Sequence, residues 1–326
     1  MIKACSPIAV ISTFAVCLLQ GSYSCAQASG SIQGERKPAG IYLAPNEQHP
    51  AVALPIYLKS NHGVYVSVGT ERSFMGAALT RAQALVIIDY DPQAIQFANI
   101  NRALLSASED RADYVDLRLW ASPDTWQQRA QSLLGEDKAT LLAASSWTFW
   151  NQKVRQNTWA WGNAFQHFNT EPKQPNDPFF ACDYLFDDHL YEHLSQLAKT
   201  SLILARLLDL RHQDEVRFLC AELQSRRLVL GVVDTSDVPS GSEAGTSVAS
   251  TYIQVFSTYA VNSTLFLNTA PAKKTGVFWS YFAFTNSVIR GHNAATIKRW
   301  YDIELDKIRA NDQLLALLDD PDAVVH

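Results

Sequence analysis

Apolar and polar residues follow two different rhythms along this chain. Val64-Tyr65-Val66-Ser67-Val68 and Ala84 to Tyr90 (ALVIIDY) are short, nearly unbroken apolar runs. That is the pattern of strands buried on both faces of a parallel sheet. Between them, Phe74 to Ala84 carries the good helix formers Ala77, Ala78 and Leu79. Pro92 stands where a helix can begin, and Gln93 to Ser106 places Ile95, Ala98, Ile100 and Leu104 at helical spacing. Strand, helix, strand, helix in this order predicts a parallel sheet with right-handed crossovers.

The middle of the chain changes rhythm. Thr125 to Leu134, Lys138 to Phe168 and His189 to Leu208 read as helices, broken by the polar stretch Asn169 to Pro178. Six of the eight tryptophans fall between Trp120 and Trp161. The region 123–210 therefore reads as a helical insertion packed on the sheet, either as ordinary aromatic core or as a lid. The strand rhythm then resumes. Leu228 to Val233 is a strand ending in Asp234, and Ala244 to Tyr259 is a helix. Thr264 to Asn268 and Trp279 to Thr285 are further strands, and Ala294 to Arg309 is a helix that Asn311 to Leu318 extends or follows. The expected fold class is α/β: a three-layer sandwich around a mostly parallel, twisted sheet.

The first residues alter the picture. Lys3, the apolar run Ile8 to Leu19 and the small-residue pattern Ala26-Gln27-Ala28 form an export signal cleaved after Ala28. The run is too short for a comfortable membrane span. Cys25 offers a second route, lipidation, although Ser22-Tyr23-Ser24 is a poor lipoprotein pattern. Residues 29–49 read as a linker or peripheral arm, and 50–326 as a single domain carrying the insertion. The protein is thus expected in the periplasm or outside the cell.

Composition narrows the function. An apolar content of 47% suits a chain with a substantial core, and a net charge of −5 gives no reason to invoke nucleic acid or an anionic membrane surface. Cys182 and Cys220 are the cysteines left after the signal. They can form one disulfide in an oxidising compartment or remain two buried thiols.

Candidate chemistry collects where strands end, since open parallel sheets bind ligands outside their carboxyl ends. Gly69, Thr70, Glu71 and Arg72 follow the first strand; Asp89, Tyr90 and Asp91 end the second; Asp234 and Asp237 follow the strand after the insertion. Gly69 and Asp89 are 20 residues apart, the separation at which an acid meets ribose hydroxyls. Arg72 and the helix start beside it could hold phosphate or carboxylate. Asp234 and Asp237 are candidate catalytic residues, and with Glu243 could ligate Mg²⁺ or Ca²⁺; the same residues also serve turns and helix caps. His189 and His193 have i, i+4 spacing without the glutamate of HExxH, so surface placement is the better reading and no metal site is assigned. Lys273 and Lys274 could attract an anion. No GxSxG nucleophile motif is present.

At these residues the chain resembles class I S-adenosylmethionine-dependent methyltransferases, whose core is Rossmann-like, over about 60–107 and 228–285. The resemblance implies S-adenosylmethionine as a cofactor held by Gly69, Thr70, Arg72, Asp89 and Tyr90. Gly69 stands alone where two or three glycines are usual, and side chains at Thr70 and Glu71 take room the ligand needs. A second resemblance rests on VSVGTERSF, IIDYDP, VVDTSDVPSGSE, LFLNTAP and FWSYFAFT. It points to an uncharacterised family of bacterial proteins, many exported, with a methyltransferase-like core, and covers most of 40–322. The expectation is an exported protein that kept this fold and binds a small polar or anionic ligand at the strand ends without catalysis. A methyltransferase, and a hydrolase built on Asp234 and Asp237, are the alternatives.

Overall fold

A computed structural model describes residues 53–69, 71–131, 133, 141–155, 182–238, 245–271, 279–299 and 315–318. All of them belong to one compact unit, Arg36–His326. The short helix α1 (Leu54–Tyr57) leads into β1 (Val64–Val68), α2 (Glu71–Leu79), β2 (Ala84–Asp89) and α3 (Pro92–Ala107). Helices α4 (Arg111–Leu119), α5 (Pro123–Ala130) and α6 (Ala144–Trp150) follow, and a π-helical turn over Asn151–Arg155 continues the last. After Cys182 come α7 (Asp188–Lys199), β3 (Ile203–Leu207), α8 (Gln213–Ser225) and β4 (Leu230–Asp234). The chain goes on through α9 (Gly245–Tyr259), β5 (Leu265–Pro271), β6 (Trp279–Thr285), α10 (Asn286–Ile289) and β7 (Leu315–Leu318). Residues 294–299 are also helical.

The strands lie in the order β3-β2-β1-β4-β5-β6-β7. The β3-β2-β1-β4-β5 pairs are all parallel, whereas β6 runs antiparallel to β5 and carries β7 parallel to itself. The mostly parallel α/β sheet read from the sequence is therefore the observed one, with a Rossmann-like order through β6. Two apolar clusters cover its faces. Tyr65, Leu85, Ile87, Val232 and Leu267 point to the side of α2, α3, α4 and α7. Val64, Val66, Val86, Ile88, Val233 and Phe266 point to α8 and α9. In β2 the aliphatic residues are buried on both faces, which explains its unbroken apolar run; each fully buried one contributes about 1.5–3 kcal/mol.

Caps set the helix starts as the sequence chemistry requires. Asp91 accepts from the Gln93 amide ahead of Pro92, Asp110 from Asp113, Ser122 from Thr125 and Asp187 from Leu190. Among the described tryptophans of the tryptophan-rich segment, Trp126 and Trp150 are core, whereas Trp120 is exposed. Trp126 and Trp150 are fully buried, and Phe97 stacks on Trp150 at 5.0 Å. Trp126, Trp150 and Trp147 donate their indole N–H groups to the carbonyls of Leu117, Arg118 and Ala121 at the end of α4. The Arg155 guanidinium donates to the same three carbonyls. Together they satisfy a helix terminus whose carbonyls have no partner within the helix.

Three expectations change. The helix read over His189 to Leu208 stops at Lys199, and Ile203–Leu207 is the edge strand β3. The break comes at Ser201, in the left-handed region at φ 60°. Helix α4 begins at Arg111, ahead of the insertion expected from 123, and the insertion closes before β3 rather than at 210. Leu315–Leu318 pairs with β6 as a strand instead of extending a helix. The parts of the predicted helices 138–168 and 294–309 beyond 141–155 and 294–299, with the breaker 169–178, lie outside the described residues. Cys182 belongs to one apolar cluster and Cys220 to the other, on opposite faces of the sheet. Both are buried free thiols, so the disulfide reading falls.

Candidate functional site

The sheet order changes direction between β1 and β4, where doubly wound folds place their ligand crevice. The register there decides where the acid after β4 points. Val64 pairs with Leu230 but Tyr65 pairs with Val232, so Gly231 is an extra residue in β4. One extra residue exchanges the faces of everything beyond it. Leu230 faces α8 and α9, whereas Val232 faces the α2 side. Asp234, two residues on, shares the α2 side with Tyr65.

Asp234 is thereby buried beneath α2. Its Oδ1 lies 2.6 Å from Arg72 Nη2, with both side chains out of solvent. Its Oδ2 accepts from the Tyr65 hydroxyl at 2.5 Å, and the Ser236 amide donates to Oδ1. Arg72 also reaches Thr269 Oγ1 at 3.4 Å and lies over the Tyr281 ring. Burial first, and Asp234 beside it, hold the Tyr65 phenol well above its ordinary range. The hydroxyl therefore stays a donor. Gly76 makes room for it: a Cβ there would fall 2.1 Å from the Tyr65 hydroxyl oxygen.

Glu71, next to Arg72, turns the other way. It pairs with Arg118 of α4 at 2.8 Å, and both side chains are fully buried. Arg118 Nη1 donates to the Tyr114 hydroxyl, the Tyr184 hydroxyl and Asn101 Oδ1. Burial alone would depress the guanidinium's pKa, but Glu71 keeps it raised. The start of α2 is thus clamped on two sides, to β4 through Arg72 and to α4 through Glu71.

Asp89 behaves differently. It ends β2 only half-buried, and its Oδ1 accepts from the Asp91 amide at 2.8 Å. Burial pushes its carboxyl up to about 6, against the amides of Asp91, Tyr90 and Gly69, which favour the charged form. Gly69 has φ +98° and open space where a Cβ would stand. The half-buried Tyr90 ring lies 5.9 Å from the guanidinium of Arg211, which forks onto Asp209 in the turn after β3. Gly69, Asp89 and Tyr90 therefore stand, partly buried, at the carboxyl ends of the neighbouring strands β1 and β2.

The structure thus divides the residues singled out from sequence. It joins Gly69 to Asp89, and it joins Arg72 to Asp234 rather than to Glu71. Thr70, Glu243, Lys273 and Lys274 lie outside the described residues. Asp237 is half-buried in the turn after β4, and Asp234 carries an arginine where a metal would have to stand. Among the described residues no group of three or more His, Cys, Asp or Glu could hold a metal ion. The His193 ring nitrogen Nε2 is taken by the Ala82 carbonyl at 2.9 Å, while His189 is exposed beside Glu192. Tyr65, Arg118, Asn101, Asp183 and Tyr184 were not singled out from sequence. The one available signal was Gly76, a costly residue inside a helix that needs a packing reason.

A family model described as a domain of unknown function, DUF7790, matches residues 42–240. The chain belongs to this family. The match spans β1 to β4, and so contains Gly69, Asp89 and both buried ion pairs. Thr269 and Tyr281, which complete the surroundings of Arg72, lie beyond it. No curated protein matches the chain. Among the described residues no helix is long and apolar enough to cross a membrane.

Proposed function

We propose that this DUF7790 chain is an exported, noncatalytic binding protein that takes a small polar ligand in the crevice of Gly69, Asp89 and Tyr90. One observation carries the reading. Asp234, the best-placed candidate for catalysis, is buried and committed to Arg72 and Tyr65. A nucleophile or base needs its lone pairs free toward substrate, and those of Asp234 are spent inside the fold. Asp89 remains half-buried at the mouth of an open turn. The same commitment takes away the cation expected to meet an anion, so the ligand class is one that donates hydrogen bonds to a carboxylate: a polyol or an amine. The pattern of residues 1–28 supports export.

The runner-up is a methyltransferase. It is favoured by Asp89, which stands at the end of β2 near the Gly69 turn, where an acid can meet ribose hydroxyls. The hydrolase reading loses its principal residue to the ion pair.

The test is calorimetric titration of the full chain with ribose, glucose and putrescine, in wild type and Asp89→Asn. Binding of at least one probe, lost in a variant that keeps its unfolding temperature, is the expected result. Heats from all three that do not depend on Asp89, or none at all, would reject the site.

A further inference from the structure

A second buried acid stands behind the Glu71–Arg118 pair, outside the crevice. Asp183 is fully buried in the turn Cys182–Asp187 that leads into α7. Its Oδ1 accepts from the Leu185 amide at 2.9 Å, and its backbone carbonyl accepts from the amides of Phe186 and Asp187. Its Oδ2 is buried with no hydrogen-bond partner among the described residues. This one residue therefore organises the turn that presents Asp187 as the α7 cap.

The surrounding charges do not balance. From α2, Glu71 faces Asp183 with a second carboxylate. From α4, Arg118 supplies the positive charge close to both, and it is already bonded to Glu71. Tyr184 and Tyr114 contribute hydroxyls whose pKa values burial holds up, so they add no charge. Tyr184 accepts from Asn101 and Arg118, the single Tyr114 proton lies closer to Asn101 Oδ1 than to Tyr184, and neither phenol satisfies Asp183 Oδ2. Within the turn, Cys182 is pushed up to about 11 and stays neutral. At its rim Arg111 of α4 binds the Leu185 carbonyl and Asp188, and is engaged there. Two ionised carboxylates would thus share one guanidinium in the interior, with one oxygen of each lacking a hydrogen-bond partner among the described residues. A buried carboxylate needs compensating hydrogen bonds, whereas the neutral acid loses far less on burial.

We propose that Asp183 is held as the neutral acid in the folded protein, and that its ionisation releases the Cys182–Asp187 turn from Glu71 and Arg118. The turn is then a proton-operated latch between the α7 entrance and the start of α2. Burial and Glu71 push the Asp183 carboxyl up to about 7, which sets the upper end of the latch's working range near neutrality. In the opened turn the acid meets water and ionises near its ordinary value. Opening is therefore coupled to loss of one proton between the ordinary and the folded values; across that window it becomes up to about tenfold more favourable for each pH unit, and it levels off above the folded value.

The test is peptide-resolved amide hydrogen exchange of the full chain from about pH 5 to about pH 9, corrected for the intrinsic pH dependence of exchange. Protection of the amides of Leu185, Phe186 and Asp187 is expected to fall by up to about tenfold per unit as pH rises toward neutrality, and to level off above it, in wild type. Asp183→Asn keeps the side-chain acceptor for Leu185 and removes the ionisation, so its corrected profile is expected to be flat. Glu71→Gln removes the like charge, and is expected to move the wild-type transition to lower pH. A wild-type turn equally protected across the range would overturn the proposal without any variant. So would a pH-dependent opening that survives in Asp183→Asn.

Discussion

Gly76→Ala is the substitution on which local propensity and tertiary packing disagree most sharply. Inside a helix this change ordinarily stabilises by about 0.5–1 kcal/mol, because glycine loses more conformational freedom on folding. Here the new Cβ would lie 2.1 Å from the Tyr65 hydroxyl oxygen, 2.3 Å from its Cζ and 2.8 Å from its Cε1. The ring has nowhere to retreat. Tyr65 is fully buried in a central strand, Tyr57 packs on it, and its hydroxyl is held by Asp234. Overpacking of this kind costs about 1–3 kcal/mol. Displacing the hydroxyl from a charged acceptor adds about 1.5–3 kcal/mol. After subtracting the helix gain, a net loss of about 3 kcal/mol is expected in urea unfolding followed by tryptophan fluorescence. The companion variants separate the causes. Tyr65→Phe keeps Cζ, so Gly76→Ala should remain costly in that background. Tyr65→Val removes the ring, and there the alanine should become neutral or favourable. A stabilising Gly76→Ala in wild type would refute the packing of α2 on β1 described above.

The remaining predictions are shorter. Asp234→Asn should cost about 3–5 kcal/mol by removing the buried carboxylate that Arg72 pairs with, and Arg72→Met combined with Asp234→Leu should recover much of it in the same unfolding assay. A mild Asp234→Asn would show that the pair does not carry the fold. Asp89 has a folded pKa of about 6, above the unfolded value of about 3.9, so the folded chain binds that proton more tightly. Stability should therefore fall as pH rises between those values, and Asp89→Asn should flatten that part of a pH series of thermal unfolding. Cys182 and Cys220 should never be found bonded to each other by peptide mapping under oxidising conditions, because the sheet lies between them. Burial pushes their thiols up to about 11 and about 12, so both should resist alkylation until the chain unfolds.

What the sequence disclosed follows from where each signal originates. β1 and β6 were legible to the residue, and β2 to within one, because a strand buried on both faces must be apolar throughout. β3 was hidden because Ile203–Leu207 continues the apolar rhythm of α7, and the break falls on Ser201, which carries no glycine or proline signal. β7 was hidden because Leu and Ala favour helices, and pairing with β6 overrides that preference. At the site, position was legible and role was not. Asp234 and Arg72 stood out because they follow strands. Their union depends on one extra residue at Gly231, which turns Asp234 under α2. Arg118 and Asp183 were invisible, since an isolated charge in a polar-looking segment reads as surface until the fold buries it.

The most direct test of a noncatalytic crevice is calorimetric titration of the full chain with S-adenosylmethionine and S-adenosylhomocysteine, in wild type and Asp89→Asn. The account predicts no heat that depends on Asp89 from either compound. Tight binding of S-adenosylmethionine, lost in a folded Asp89→Asn variant, would contradict it and make methyl transfer the function to pursue.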